Sequence, residues 1–186
     1  MQVFWQQGYE STSISDLTKA MNINPPSLYA AFGDKERLFL AAVERYGCQV
    51  GQTPAAILNE APTARAGVEL LLEKAAHEFT NRSHPPGCMI ISAATNCSAD
   101  AAHVQKALAD LRRSTEIALK TRIERGMADR ELTAAADAGA LAKFFATVLE
   151  GMSIQARDGA SRKSLLTTAA TAMHAWPRTA ARIRSR

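Results

Sequence analysis

Apolar positions in the first fifty residues recur with a helical period that is broken at short intervals. Phe4 and Trp5 precede the pair Gly8-Tyr9. Ser13-Ile14-Ser15-Asp16 then has the spacing of a capping box, with a hydroxyl at the N-cap and a carboxylate three residues on. It predicts a helix that buries Ile14, Leu17 and Met21. After Asn22-Ile23, Asn24 caps a second short helix. Pro25 and Pro26 fall in its first turn, where the amides lack partners anyway. That helix ends near Phe32-Gly33. Asp34 caps a third, from about Lys35 to Tyr46, with Leu38, Phe39, Ala42 and Val43 apolar.

Beyond Thr53 the predicted helices lengthen. Pro54 and Pro62 bracket a short segment, and Val68, Leu71, Leu72, Ala75 and Phe79 share one helical face. Asn81 to Gly87 is a break, followed by an apolar stretch from Cys88 to Ala94. Val104, Leu108, Leu111 and Ala118 mark a long helix ending near Gly126. Leu141, Ala142, Phe145, Val148, Leu149 and Met152 mark another over about 136–157. A last helix runs over about 161–176 and stops at Pro177. Composition agrees with this pattern. Of 186 residues 36 are alanine and only 6% are aromatic. Alanine is the best helix former and a poor strand former, so an all-α fold is expected.

Charge changes the picture less than it first suggests. The net charge of +4 invites a nucleic-acid reading. Residues 1–46, however, carry four Lys/Arg against five acids, and residues 157–186 carry seven against one. The excess therefore sits at the carboxyl end, where a solvated tail explains it better than a nucleic-acid surface. Three cysteines, Cys48, Cys88 and Cys97, are too few for a disulfide framework. No apolar run approaches the ~20 residues of a membrane span, and MQVFWQQGYE lacks the features of a secretory signal. A cytoplasmic location with no membrane contact is the expectation.

Two short helices joined by three or four residues, the second entered by an N-cap, describe a helix-turn-helix. Ile14, Leu17, Ile23, Leu28 and Phe32 are expected to make the helix crossing. That leaves Pro26, Ser27, Tyr29, Ala30 and Ala31 facing solvent. Hydroxyls bond phosphate and alanine methyls touch thymine methyls, so this strip suits a DNA groove. A helical hairpin inside any all-α core has the same spacing, and both readings stand at this level.

Phe4-Trp5-Gln6-Gln7-Gly8-Tyr9, Thr12-Ser13-Ile14 and Asn24-Pro25-Pro26-Ser27-Leu28-Tyr29-Ala30-Ala31-Phe32-Gly33-Asp34-Lys35-Glu36 together resemble the amino-terminal domain of TetR/AcrR-type transcriptional regulators. The resemblance covers roughly residues 1–46. It implies a helix-turn-helix three-helix DNA-binding domain over 1–46 and a larger helical effector-binding and dimerisation domain over 47–186. Tyr29 and Lys35 would contact phosphates, with Thr12, Ser13 and Ser15 at the backbone near the start of the preceding helix. Asn24, Pro25, Pro26, Ser27, Ala30 and Ala31 would lie against the bases. Two alanines there imply thin hydrogen-bond readout and a larger share for shape and methyl contacts.

Family members usually have a longer first helix preceded by a basic arm, whereas Gly8 here follows only seven residues. The resemblance implies a repressor that leaves a palindromic operator when a small molecule binds or a thiol is modified. The alternative is a helical small-molecule or thiol-redox sensor whose shortened amino end no longer binds DNA.

The resemblance also implies a homodimer on double-stranded DNA, formed through helices about 136–157 and 161–176. Ala138, Ala142, Ala146 and Gly151 would permit close approach there, with Phe145, Leu149, Leu165 and Leu166 as bulk. Phe79, Met89, Leu108, Leu111, Phe144 and Met152 are candidates for lining an effector pocket, although each also reads as ordinary core. Cys88 and Cys97 are redox candidates, because the intervening segment looks like that of thiol-sensing members. Reactivity would require a thiol pKa lowered by a nearby cation. His84 and Cys88 lie four apart, but no ligand pair supports a metal, and no motif calls for a cofactor. The chain has no glycine-rich phosphate loop, His-Glu-x-x-His or Gly-x-Ser-x-Gly, so an enzyme is not expected.

Overall fold

A computed structural model describes residues 1–49 and 53–177. Four helices form a head: α1 (Gln2–Gln7), α2 (Ile14–Met21), α3 (Pro25–Phe32) and α4 (Lys35–Gln49). The body follows as α5 (Pro54–Glu60), α6 (Ala64–Phe79), the one-turn α7 (Met89–Ser92), α8 (Ala102–Ala128), α9 (Ala138–Arg157) and α10 (Arg162–Ala172). The expected all-α fold is what the chain adopts. Local chemistry starts the helices where the sequence predicted. Ser13 and Asp16 form a reciprocal capping box, Asn24 Oδ1 accepts from Ser27 N at 2.9 Å, and Asp34 Oδ1 accepts from Arg37 N at 2.7 Å.

Two apolar clusters organise the packing. The body core gathers Val68, Leu72 and Phe79 from α6, Leu119 and Ile123 from α8, and Phe145, Leu149 and Met152 from α9. The head core holds Phe4, Trp5, Leu17, Leu28 and Phe39, and it draws in Met89, Ala93, Ala94, Val104 and Leu108 from the body sequence. The head is therefore seated on α7 and the start of α8 rather than standing alone. Aromatic edges fix its interior: Phe4 meets Phe39 at 5.0 Å and Trp5 meets Tyr46 at 4.8 Å, both near perpendicular.

Two expected core positions in the head lie at the surface instead. Met21 and Ile23 are each 38% exposed, because they flank the left-handed Asn22 where the chain turns outward between helices. Leu28 carries the crossing, fully buried, with Leu17 beside it.

One buried charge braces the body. The Arg122 guanidinium donates to Leu58 O at 3.0 Å and Ala61 O at 3.5 Å, and faces the Glu131 carboxylate at 3.4 Å. Glu131 in turn accepts the Ala64 amide at the start of α6. One pair thus ties the end of α5, the start of α6 and α8 together.

Candidate nucleic-acid interface

The presented surface is the outer face of α3. Asn24, Pro25, Pro26, Ser27, Tyr29, Ala30 and Ala31 are all exposed, the last five as the sequence spacing required. Leu28 is their anchor: a single fully buried leucine on an eight-residue helix turns the remaining positions outward. Two devices fix the helix ends. The Asn24 cap starts it, and Gly33, at φ 82°, stops it with its amide on Tyr29 O. A Cβ at Gly33 would be strained at that φ, so the chain reverses into α4 only with glycine there.

Lys35, at the start of α4, sits in a built seat on the turn after α1. Its ammonium lies 4.5 Å above the Tyr9 ring and donates to Glu10 O at 3.2 Å. Partial burial lowers its pKa, opposed by Glu10 and Cys97. The Tyr9 phenol is raised by burial and then by Glu36, Glu10 and Asp34. The turn that carries Tyr9 is itself pinned, since Tyr9 N donates to Ala93 O at 2.6 Å. Sequence reasoning named Lys35 but missed Tyr9 and Glu10 as its support. The Gly-Tyr pair was the available signal.

Thr12 corrects an expectation. It is 1% exposed, and its hydroxyl donates to Gly8 O at 2.6 Å, closing the turn after α1 instead of facing outward. Ser13 and Ser15 are exposed. The Ser13 hydroxyl is committed to Asp16, donating to Oδ2 at 2.6 Å while accepting Asp16 N at 3.0 Å.

With this geometry in place, the comparisons are specific. Residues 1–42 match the bacterial regulatory proteins of the tetR family, and residues 64–173 match the tetracyclin repressor-like C-terminal domain. The chain is 33% identical to the HTH-type transcriptional repressor ComR of Escherichia coli K12, over 95% of this chain and 85% of ComR. It is 30% identical to the repressor BdcR of the same organism, over 91% of this chain and 81% of BdcR. The chain belongs to the TetR family. Among solved structures, a cysteine-substituted variant of the TetR family regulator CifR, complexed with a 26-bp double-strand operator DNA, superposes with a TM-score of 0.91. The two are 43% identical over 95% of this chain and 92% of that one. This TetR-family chain is thus a helix-turn-helix transcriptional regulator, and its family is regulatory rather than enzymatic. No helix among the described residues is long and apolar enough to cross a membrane.

The six expected pocket residues do not converge. Phe79 and Met152 lie in the body core, Met89 and Leu108 belong to the head core, and Leu111 and Phe144 are each 40% exposed on outer faces. Helical period located apolar faces but not which neighbour covers them. The expected dimer residues are sorted in the same way. Ala138, Ala142, Ala146, Phe145, Leu149 and Leu165 are buried within the subunit, so none of them is free to meet a partner. Outward residues include Phe144, Thr147, Gly151 and Ile154 on α9, and Lys163, Thr167, Ala170 and His174 along and just beyond α10. The latter line part of a shallow open groove of about 650 Å³.

Both candidate thiols are shifted above their ordinary value. Burial pushes the Cys88 thiol up, partly offset by the hydrogen bond that Tyr46 Oη donates to it at 3.3 Å. Cys97 is raised by burial and by Glu10, with Lys35 pulling the other way. The cation that the sequence could not name is therefore Lys35, but its pull does not prevail. No cluster of three or more His, Cys, Asp or Glu with metal-holding geometry occurs among the described residues.

Proposed function

We propose that this chain is a cytoplasmic homodimeric repressor that reads a palindromic operator with two copies of α3 and is released by a small molecule or by thiol modification. The observation that carries the reading is the exposed, doubly capped α3, with Lys35 at the start of the next helix held on the Tyr9-Glu10 turn. Asn24, Pro25, Pro26, Ser27, Ala30 and Ala31 lie against base edges in this reading. Tyr29, Lys35, Ser15 and the backbone at Ser13 take phosphates. Residues 1–46 serve as the reading head and 47–186 as the effector-binding and dimerising part. The outward faces of α9 and α10 supply the contact between copies. A two-fold dimer requires half-sites about one helical turn apart, or slightly more.

Release follows if the effector binds the DNA-incompetent arrangement more tightly, since only differential affinity moves the equilibrium. Cys97 is the better-placed thiol, because it interacts electrostatically with Lys35 at the phosphate-facing edge of the head. An adduct there would disturb the Lys35 seat directly.

The test is selection of bound duplexes from a random pool by the purified chain at two salt concentrations. Recovery of a palindrome, with affinity falling as salt rises, is the expected result. Enrichment of no sequence by a folded, dimeric chain overturns the reading.

A further inference from the structure

Arg157, in the last turn of α9, reaches across 151 and 152 residues of sequence to the head. Its Nη1 donates to Trp5 O at 3.0 Å and to Ser92 Oγ at 3.4 Å, and its Nη2 donates to Gln6 O at 3.1 Å. Trp5 and Gln6 belong to the last turn of α1, where carbonyls have no partner within the helix. The guanidinium is planar, so gripping two successive carbonyls fixes an angle as well as a distance.

The stem of Arg157 is held just as firmly. Gly87 (φ +80) passes so close that an added Cβ would lie 2.9 Å from Arg157 Cγ and 2.7 Å from Ser153 O. Next to it, Ser153 Oγ accepts the Cys88 amide at 2.8 Å. Other ties between head and body come from α7, α8 and the segment before α7: Ala93 O to Tyr9 N, Cys88 to Tyr46, His103 to Glu36, and His84 stacked on Trp5. Arg157 differs from these in resting on α9, the helix to which the reading above assigns the contact between copies.

We propose that Arg157 is the positioning residue that sets the separation of the two reading heads, and with it the half-site spacing the dimer accepts. The inference rests on the dimeric-repressor reading above. With α9 fixed against the two-fold axis, the fork on α1 carries the head at a set distance from that axis. Without the fork the head pivots on α7. The remaining contacts tolerate a range of positions, and discrimination between spacings falls.

The experiment measures binding of the full chain to the selected palindrome and to versions with one or two base pairs added or removed at its centre. It compares wild type, Arg157→Lys, Arg157→Gln and Ser92→Ala. Melting temperature and dimer mass are measured in parallel. Wild type is expected to prefer one spacing by about tenfold or more over its neighbours, since about one mismatched feature's worth of binding is at stake. Arg157→Gln should flatten that preference to about threefold or less, and Arg157→Lys should fall between. Ser92→Ala loses the longest of the three contacts and should keep the wild-type profile. Arg157→Lys retains the stem over Gly87 and the charge, so it remains informative if Arg157→Gln does not fold. A Lys variant with the wild-type spacing profile and affinity overturns the proposal. Wild type selecting no palindrome overturns the repressor reading instead.

Discussion

Replacing Lys35 with Met removes one cation per head and keeps most of the side-chain stem. If the ammonium neutralises one phosphate, each copy contributes about 0.9 to the slope of log affinity against log salt, and a dimer contributes about 1.8. Between 50 and 200 mM salt that slope difference amounts to about one log unit. The variant should therefore bind far more weakly than wild type at the lower salt, and the ratio between them should shrink about tenfold at the higher. The folded-state cost is separate and small. Lys35 is half-exposed, and it loses one hydrogen bond to Glu10 O and its place over Tyr9. Together these are worth about 1 kcal/mol, or about 2–4 °C of melting temperature for a chain of this size. Fluorescence anisotropy across a salt series reads the slope, and a thermal melt reads the cost. An affinity loss that is equal at every salt concentration would refute the phosphate assignment. Lys35 would then act only by holding the Tyr9-Glu10 turn.

Arg122→Met should cost about 3–5 kcal/mol by leaving Glu131 and two carbonyls without their buried partner, lowering the melting temperature by about 10 °C. Adding Glu131→Gln should recover part of the loss, and an unchanged single-variant melt would show that the pair is idle. The Asp16 carboxyl is held below its ordinary value of 3.8 by the Ser13 side-chain and backbone hydrogen bonds. Its contribution is therefore complete above that value and is lost as pH falls through the lower folded one. The stability gap between wild type and Ser13→Ala, read by urea unfolding, should narrow in that window, and a gap constant with pH would contradict the capping argument. Because burial raises the Cys88 thiol, iodoacetamide should label it about tenfold or more slowly than the exposed Cys48, as followed by peptide mass spectrometry. Ala30→Arg should add a preference of about 1–3 kcal/mol for guanine at one position of each half-site. A selected site identical to that of wild type would remove Ala30 from the interface.

The head was legible in the sequence because its signals are local. A capping box, an asparagine before two prolines and an aspartate before Lys35 each satisfy backbone amides three residues away, so short-range chemistry decides them. The same spacing turned Ser27, Tyr29, Ala30 and Ala31 outward, and the family resemblance rested on Gly8-Tyr9, the capped helix and the run from Ser27 to Glu36. Thr12 escaped because its hydroxyl is spent on the carbonyl of Gly8, in a turn whose closure depends on α1 docking. The body was legible as helices and little further. A 3.6-residue period marks an apolar face without naming what covers it, and so Met89 and Leu108 went to the head while Phe144 and Leu111 went to the surface.

Sequence by itself therefore determined the capped starts of α2, α3 and α4 and the residues offered by α3, since each depends on neighbours within one turn. Tertiary structure decided that α7 carries the head, that Arg122 is buried and that Arg157 caps α1 from the far end of the chain. Those contacts join residues about 60 to 150 positions apart, where no periodicity reaches and only packing brings donor and acceptor together.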